Sequence, residues 1–177
     1  MATFTIKNLE LAMPRNAIVY SAIEGLEGAS QTWDEVPTPV VSTSGLLVTA
    51  ADPVTAIIGF ALRAAVNDAG GLSSLRYVPV VSGLEFYANH LDTDGTTNTL
   101  AAADHGAARQ VNFTAALAPD GKGVWHLGDS ATTAAARVVS FKNDQHPAAT
   151  AEPKYAVAGD VDARVTATIL QSIQTFE

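Results

Sequence analysis

The chain has 177 residues, a net charge of −8 at pH 7 and only 16% charged residues, a size that fits one domain. Acidic residues outnumber scattered basic ones, 18 to 10, so we expect neither nucleic acid nor an anionic membrane as a partner. Cysteine is absent, which excludes disulfides, thiolate metal sites and cysteine nucleophiles and suits a reducing cytoplasm. The low charge indicates that neighbouring subunits cover part of the surface.

Residues 1–45 contain weak strand-like pieces, broken by Pro14, Gly25 and Gly28, and then the Pro-, Ser- and Thr-rich stretch TWDEVPTPVVSTSG. We interpret them as an N-terminal arm or peripheral hairpin with an extended linker, joined to a β-barrel-like domain spanning residues 46–177. The alternative is that they complete this domain as ordinary edge strands. The start MATFTIKNLELAMPRN lacks a basic segment followed by an apolar one, so we expect no secretion signal.

The longest apolar stretch, ADPVTAIIGFALRAAVNDAGG, covers residues 51–71. It cannot cross a bilayer, because Asp52 and Arg63 leave too few apolar residues between them. The spacing instead predicts a short soluble helix over Pro53–Val66, with Asp52 as N-cap and Pro53 at the first helical position. A Gly-Gly pair would end it.

The rest of the chain predicts short strands separated by turns. They are expected at Leu46–Ala50, Tyr77–Val81, Leu84–Ala88, Val111–Leu117, a return strand from Val124, Arg137–Phe141 and Val161–Ile169. Pro79 favours an edge or bulge position for the second of these, and Ser82-Gly83 a tight turn. The predicted fold is mainly β: a compact barrel or sandwich of short antiparallel strands with one short helix and an N-terminal arm.

No motif assembles a catalytic or metal site. Each of the four histidines, His90, His105, His126 and His146, has an acidic residue close in sequence, but none has metal-ligand spacing. Asp92, Asp94 and Asn98 lie around Gly95 in HLDTDGTTN and could bind Ca²⁺, although a solvated Asp-Gly turn is the stronger interpretation. We therefore expect no cofactor, no metal and no enzymatic activity.

Four segments occur in an order that resembles small virion structural proteins of tailed bacteriophages, which decorate or cement the head: VTAIIGFALRAAVN, VPVVSGLEFYANHL, GVWHLGDSATTAAARVVSFKND and GDVDARVTATILQSIQTFE. The resemblance runs from about Leu47 to the end and consists of packing and turn motifs. The matching positions are Ile58, Gly59, Phe60, Ala61, Val78, Val80, Phe86, Ala88, Asn89, Gly123, Trp125, Asp129, Gly159 and Asp160.

The resemblance implies a protein without enzymatic activity that binds the outer surface of a phage capsid as a homotrimer. Its partners would be the major capsid protein and other copies of itself. It would be made in the host cytoplasm and located on the capsid exterior. As a hypothesis, apolar residues of the arm carry much of the capsid contact: Phe4, Ile6, Leu9, Val19 and Trp33.

Three alternatives remain open. The chain could be a neck, tail or baseplate component of the virion. It could be a carbohydrate-binding β-sandwich that uses exposed Trp and Tyr beside the DTDGTTN loop. It could also be a hydrolase whose His and Asp residues are brought together by the fold.

Overall fold

A computed structural model describes residues 3–12, 21–81, 83–141 and 156–174, and over these ranges the mainly β prediction is confirmed. The strands are β1 Glu10–Leu11, β2 Ile23–Leu26, β3 Thr38–Thr43, β4 Leu46–Thr49, β5 Gly59–Ala61, β6 Ser74–Pro79, β7 Glu85–Asn89, β8 Ala108–Arg109, β9 Val111–Thr114, β10 Val124–Leu127, β11 Ala136–Ser140 and β12 Arg164–Ile169. Two single-turn 3-10 helices, Ala102–Asp104 and Gln171–Ile173, accompany them.

Sheet 1 has the strand order β1-β7-β12-β11-β8 and is antiparallel throughout. The strand predicted over Val161–Ile169 begins later, at Arg164, and from there its alternation is correct, because Val165 and Ala167 of β12 enter the main core. The opposite face is buried as well, with Arg164 at 0% and Thr166 at 4% exposure. β12 is therefore a central strand covered on both sides, which periodicity alone does not reveal.

Sheet 2 has the order β2-β6-β5-β3-β4 and curls upon itself. Its edge strands meet at a single bridge between Glu27 and Leu47, where the Gly28 N–H donates to the Leu47 carbonyl at 2.8 Å. No continuous ladder joins the two edges in the described residues, so the sheet is strongly curved rather than a closed barrel. The curl encloses a small core of its own: Trp33, Val40, Leu47, Ala61, Leu75 and Tyr77.

The two sheets pack face to face as a sandwich. Phe60 of β5 and Val78 of β6 lie on the outer face of sheet 2 and enter the core of sheet 1, where Phe60 contacts Phe86 with ring centroids 5.8 Å apart. The β9–β10 hairpin adds Trp125 and Leu127 to the same core. The main hydrophobic core thus joins three structural pieces.

The helix predicted over Pro53–Val66 is wrong. Residues 59–61 form β5 between β3 and β6, and no helix occurs in residues 51–70. Cross-strand pairing overrides helical spacing here, because a strand buries Phe60 and Ala61 on its two opposite faces. Asp52, the predicted N-cap, instead accepts a hydrogen bond from the Phe113 N–H at 3.0 Å.

Within the N-terminal 45 residues, the described ranges 3–12 and 21–45 follow the second of the two interpretations, because they form strands of the body and not an arm. β1 pairs with β7 in sheet 1, while β2 and β3 belong to sheet 2. The predicted boundary at residues 45 and 46 falls in the β3–β4 turn, where Thr43 pairs with Leu46. Hydrophobic burial of Phe4 and Leu9 keeps the segment against the main core.

Two smaller differences concern strand positions. β6 begins earlier than predicted and lies between β2 and β5, so the edge position inferred from Pro79 is wrong; Pro79 is tolerated as the last residue of the strand. The β9 strand ends at Thr114, sooner than predicted. Ser82 of the predicted turn lies outside the described residues.

Candidate functional site

The residues predicted to contact a capsid are largely buried within the chain. Phe4 is 2%, Leu9 0% and Trp33 5% exposed. Ile6 is partly buried at the wall of an open cleft, and Val19 lies outside the described residues. In this conformation Phe4, Leu9 and Trp33 contact the chain's own cores, so they cannot also supply an outer contact surface.

Trp33 is held in place by polar as well as apolar contacts. Its indole Nε1 donates to the Arg63 carbonyl at 3.0 Å, and its own carbonyl accepts the Ala65 N–H at 2.9 Å. A buried indole N–H normally needs such a partner. The tryptophan therefore connects the segment before β3 to the segment after β5.

Large apolar side chains are exposed elsewhere. Three of them, Leu26, Leu62 and Leu72, form what we call the outer leucine surface, with exposures of 44%, 39% and 60%. Leu26 pairs with Ser74 across β2 and β6, the Leu62 N–H bonds to the Arg76 carbonyl, and the Leu72 N–H bonds to the Glu27 carbonyl. These bonds place all three at one end of sheet 2.

The outer leucine surface continues a face that is buried elsewhere. Leu62 lies two residues beyond Phe60, so it points to the same side of sheet 2. At Phe60 this side is fully covered by sheet 1, whereas Leu62 remains 39% exposed. Fully burying one leucine side chain is worth about 1.5–3 kcal/mol. Burying this surface against another protein would therefore lower the free energy of the complex.

The polar groups beside this surface are satisfied internally. Glu27, 1% exposed, forms an ion pair with Arg63 at 2.8 Å and accepts the Val66 N–H at 2.9 Å. Arg63 also donates to the Ser74 carbonyl. This network fixes the loop after β5 against sheet 2, so the leucines are presented on a rigid support.

An open cleft of about 620 Å³ lies between sheet 2 and the β9–β10 hairpin. Trp33, Glu35, Asp52 and Trp125 help to line it. Burial, and secondarily the neighbouring Asp34 carboxyl, raise the pKa of Glu35. The cleft thus combines carboxyl groups with two tryptophan side chains.

The carbohydrate-binding alternative required exposed aromatic residues, and the structure does not provide them in its described part. Trp33 is 5%, Trp125 2%, Tyr77 7% and Tyr87 6% exposed. Sugar rings stack on open aromatic faces, which these buried rings do not offer. The expectation of exposed Trp and Tyr beside the 92–98 loop is therefore wrong for these residues.

The 92–98 loop is a polar turn, as the stronger interpretation held. The Gly95 N–H donates to the Asp92 carbonyl at 2.9 Å, and Gly95 has a φ of +83°, which favours glycine. Asp94 Oδ1 accepts the N–H and hydroxyl of Thr96 at 3.0 and 2.8 Å. Both carboxylates serve the turn: Asp92 Oδ1 accepts the Thr93 N–H at 2.7 Å.

The fold brings two of the four histidines together. His90 follows β7 and pairs with Leu127, which places it beside His126 of β10. Both are buried, at 2% and 0% exposure, and the Thr114 hydroxyl lies 3.0 Å from His126 Nε2. His105 is exposed and stacks edge-on against Phe141, whereas His146 lies outside the described residues.

Within the described ranges, no group of three or more His, Cys, Asp or Glu side chains has a metal-binding arrangement. The same part of the chain contains no helix long and apolar enough to span a bilayer. A Thr-His pair that is closed to solvent lacks access for a substrate.

Two packed antiparallel sheets with a hairpin between them define a mainly β sandwich. Neither a family model, nor a curated protein, nor a solved structure matches the chain. Two features of the site were missed by sequence reasoning: the outer leucine surface and the His90–His126 junction. Both depend on which strands pair, which no local motif encodes.

Proposed function

We propose that the chain is a non-enzymatic structural protein of a tailed-bacteriophage virion. It binds the outer face of the capsid as a homotrimer and stabilises the major capsid protein lattice. The ordered resemblance of four segments supports the class of protein. The net charge of −8 suits an outer location, away from packaged DNA.

The observation that carries the proposal is the outer leucine surface. A chain with only 16% charged residues leaves Leu26, Leu62 and Leu72 partly exposed on a rigid sheet face. Exposed apolar side chains that lie together at one end of a sheet support a contact with another protein. We place this surface against the major capsid protein, in an interface of the standard size of about 1,600 Å².

The proposed contact replaces the one predicted through the N-terminal residues. Deleting residues 1–43 would remove β1, β2 and β3, so it would take two strands from sheet 2 together with Phe4 and Leu9 of the main core. Loss of binding by such a deletion would report unfolding. Point substitutions on the outer surface are the informative change.

The test is direct placement on a particle. Expanded capsids are assembled from the major capsid protein encoded by the same phage, mixed with the purified chain and imaged by cryo-electron microscopy. We expect density on the outer face at positions of threefold symmetry and greater resistance of the capsid to heat. Bare capsids at saturating chain, or density only at the neck or tail of intact virions, would reject the capsid role.

A further inference from the structure

The β9–β10 hairpin meets sheet 1 at a backbone junction beside the core that the two share. Its backbone bonds include one from the Leu91 N–H to the Leu127 carbonyl at 2.9 Å, beside the His90–Leu127 bridge. Each side of this junction contributes one buried histidine: His90 from the end of β7 and His126 from β10.

The hydrogen bond at His90 requires a neutral ring. Arg109 Nε lies 3.3 Å from His90 Nε2, and a guanidinium can only donate. Nε2 must therefore accept, which leaves the ring proton on Nδ1, an atom with no hydrogen-bond partner within the described residues. A second proton on Nε2 would break the bond and place two cations side by side.

His126 is still more enclosed. Its side chain is fully buried, and Nε2 shares a hydrogen bond with the Thr114 hydroxyl at 3.0 Å. A charged imidazolium at this place would lose its hydration, which the Thr114 hydroxyl and a backbone hydrogen bond at Leu127 replace only in part. Burial consequently lowers the pKa of His126, and burial also lowers that of His90.

Charged groups from every neighbouring element face the two rings. Around His90 these are Asp104 of the 3-10 helix, whose Oδ1 lies 4.0 Å from Nε2, Arg109 of β8 and Asp129 beyond β10. Around His126 they are Asp52, Asp94 and His90 itself. The carboxylates favour the charged rings, but Asp104 already pairs with Arg109, and desolvation outweighs them all.

We infer that this junction is an acid-sensitive latch: uptake of protons by His90 and His126 separates the β9–β10 hairpin from sheet 1 before the rest of the chain unfolds. The inference does not rest on the proposed function. It concerns only how the hairpin is held, and it names protons as the ligand that releases it.

The direction of the pH effect follows from the linkage between proton binding and opening of the junction. Because the pKa of each histidine is lower when the junction is closed than the ordinary value near 6.5, opening takes up protons once the pH falls below that value. Between pH 7.5 and 5.0 the open population rises by up to about 30-fold for each histidine that stays neutral when closed. The two factors multiply when both rings stay neutral.

Hydrogen exchange read by peptide mass spectrometry tests this on the full chain. After correction for intrinsic rates, we expect peptides spanning residues 111–127 to lose at least tenfold protection from pH 7.5 to 5.0. Peptides from the β3–β4 hairpin should change less. A uniform loss across all strands, or no loss in the hairpin, would overturn the latch.

Two variants and one titration separate the latch from general acid sensitivity. In the double variant His90→Gln/His126→Gln, the hairpin should no longer lose hydrogen-exchange protection between pH 7.5 and 5.0. In His105→Gln, at an exposed site, the loss should be the same as in the parent chain. If the double variant does not fold, NMR titration of the unaltered chain decides. Imidazole signals of His90 and His126 that titrate near pH 6.5 in a protected hairpin would refute the inference.

Discussion

Arg164 Nη1 donates to Asn89 Oδ1 at 3.1 Å, and this pair fastens the N-terminal segment to sheet 1. Arg164 is fully buried and also donates to the carbonyls of Lys7 and Asn8, at 3.4 and 2.9 Å, and forms an ion pair with Glu10 at 3.2 Å. Asn89 in turn accepts the Lys7 N–H at 3.1 Å. One buried cation thus satisfies several acceptors at the point where the chain begins its first strand.

Replacing this arginine tests its role as a fastener. Arg164→Met keeps much of the apolar volume but leaves buried acceptors unpaired, so we expect a loss of about 3–5 kcal/mol in the free energy of unfolding. Urea denaturation followed by circular dichroism measures it. The matched control is Arg137→Met, at an exposed position with one bond to the Gly106 carbonyl at 2.8 Å. Equal losses in the two variants would contradict the proposed fastening.

A second substitution distinguishes the observed strand from the predicted helix by the sign of its effect. A Cβ at Gly59 would lie 2.5 Å from both the Tyr77 ring and the Val78 carbonyl oxygen, and backbone cannot move aside. We expect Gly59→Ala to destabilise the chain by about 1–3 kcal/mol. In an exposed helix the same change would stabilise by about 1 kcal/mol.

The control for Gly59→Ala is Gly70→Ala, where the nearest atom to the new Cβ is Asp68 Oδ1 at 3.5 Å. Thermal unfolding of the two variants and the parent chain gives the comparison. Gly70→Ala should change stability little. A stabilised Gly59→Ala chain would mean that β5 does not exist as described.

The difference between predicted helix and observed strand has a physical origin. β5 is three residues long, and its partners, β3 and β6, lie about twenty residues away on either side. Small and apolar residues in succession satisfy the spacing of a helix as well as that of a buried strand. Only pairing decides between them. β12 was predictable because six residues alternate without interruption.

The candidate site was hard to predict for a related reason. Phe4, Leu9 and Trp33 are apolar residues in a weakly patterned segment, and the sequence does not say which surface receives them. Arg164 occupies the polar side of an alternating strand, where solvent exposure is the natural expectation. It is buried because the N-terminal segment covers that side, a contact between residues more than 150 positions apart.

Charged substitutions on the outer leucine surface should weaken capsid binding without destabilising the fold. Leu26→Asp with Leu72→Asp introduces two charges at exposed positions, so stability should stay within about 0.5 kcal/mol for each change. Occupancy on expanded capsids should fall at least tenfold, since charges would have to be desolvated in the contact. Val157→Asp, at a position 57% exposed elsewhere, is the control. Equal capsid occupancy by the parent chain, the double leucine variant and Val157→Asp would disprove the contact.

The raised pKa of Glu35 leads us to expect that replacing this residue stabilises the chain by an amount that depends on pH. Burial raises its pKa above the ordinary value of 4.5, so the folded chain holds this proton more tightly than the unfolded chain. That contribution is fully present below pH 4.5 and is lost as the pH rises through the folded pKa. Glu35→Gln should therefore stabilise the chain relative to the parent more at pH 7 than at pH 4.

Urea denaturation at the two pH values measures the effect of Glu35→Gln, with Glu85→Gln at an exposed site of β7 as the reference. The glutamine keeps an oxygen that can accept the Asp34 N–H, which bonds to Glu35 Oε2 at 3.3 Å. A difference in stability that is the same at both pH values would show that burial does not perturb this carboxyl.

The strand order has a consequence for how the chain folds during synthesis. All strands of sheet 2 lie between residues 23 and 79, whereas sheet 1 cannot close until β12, residues 164–169, enters between β7 and β11. A nascent chain on the ribosome would acquire its smaller core early and carry β7, and later β11, without their shared partner until β12 is made. Limited proteolysis of stalled chains of increasing length would show protection in that order.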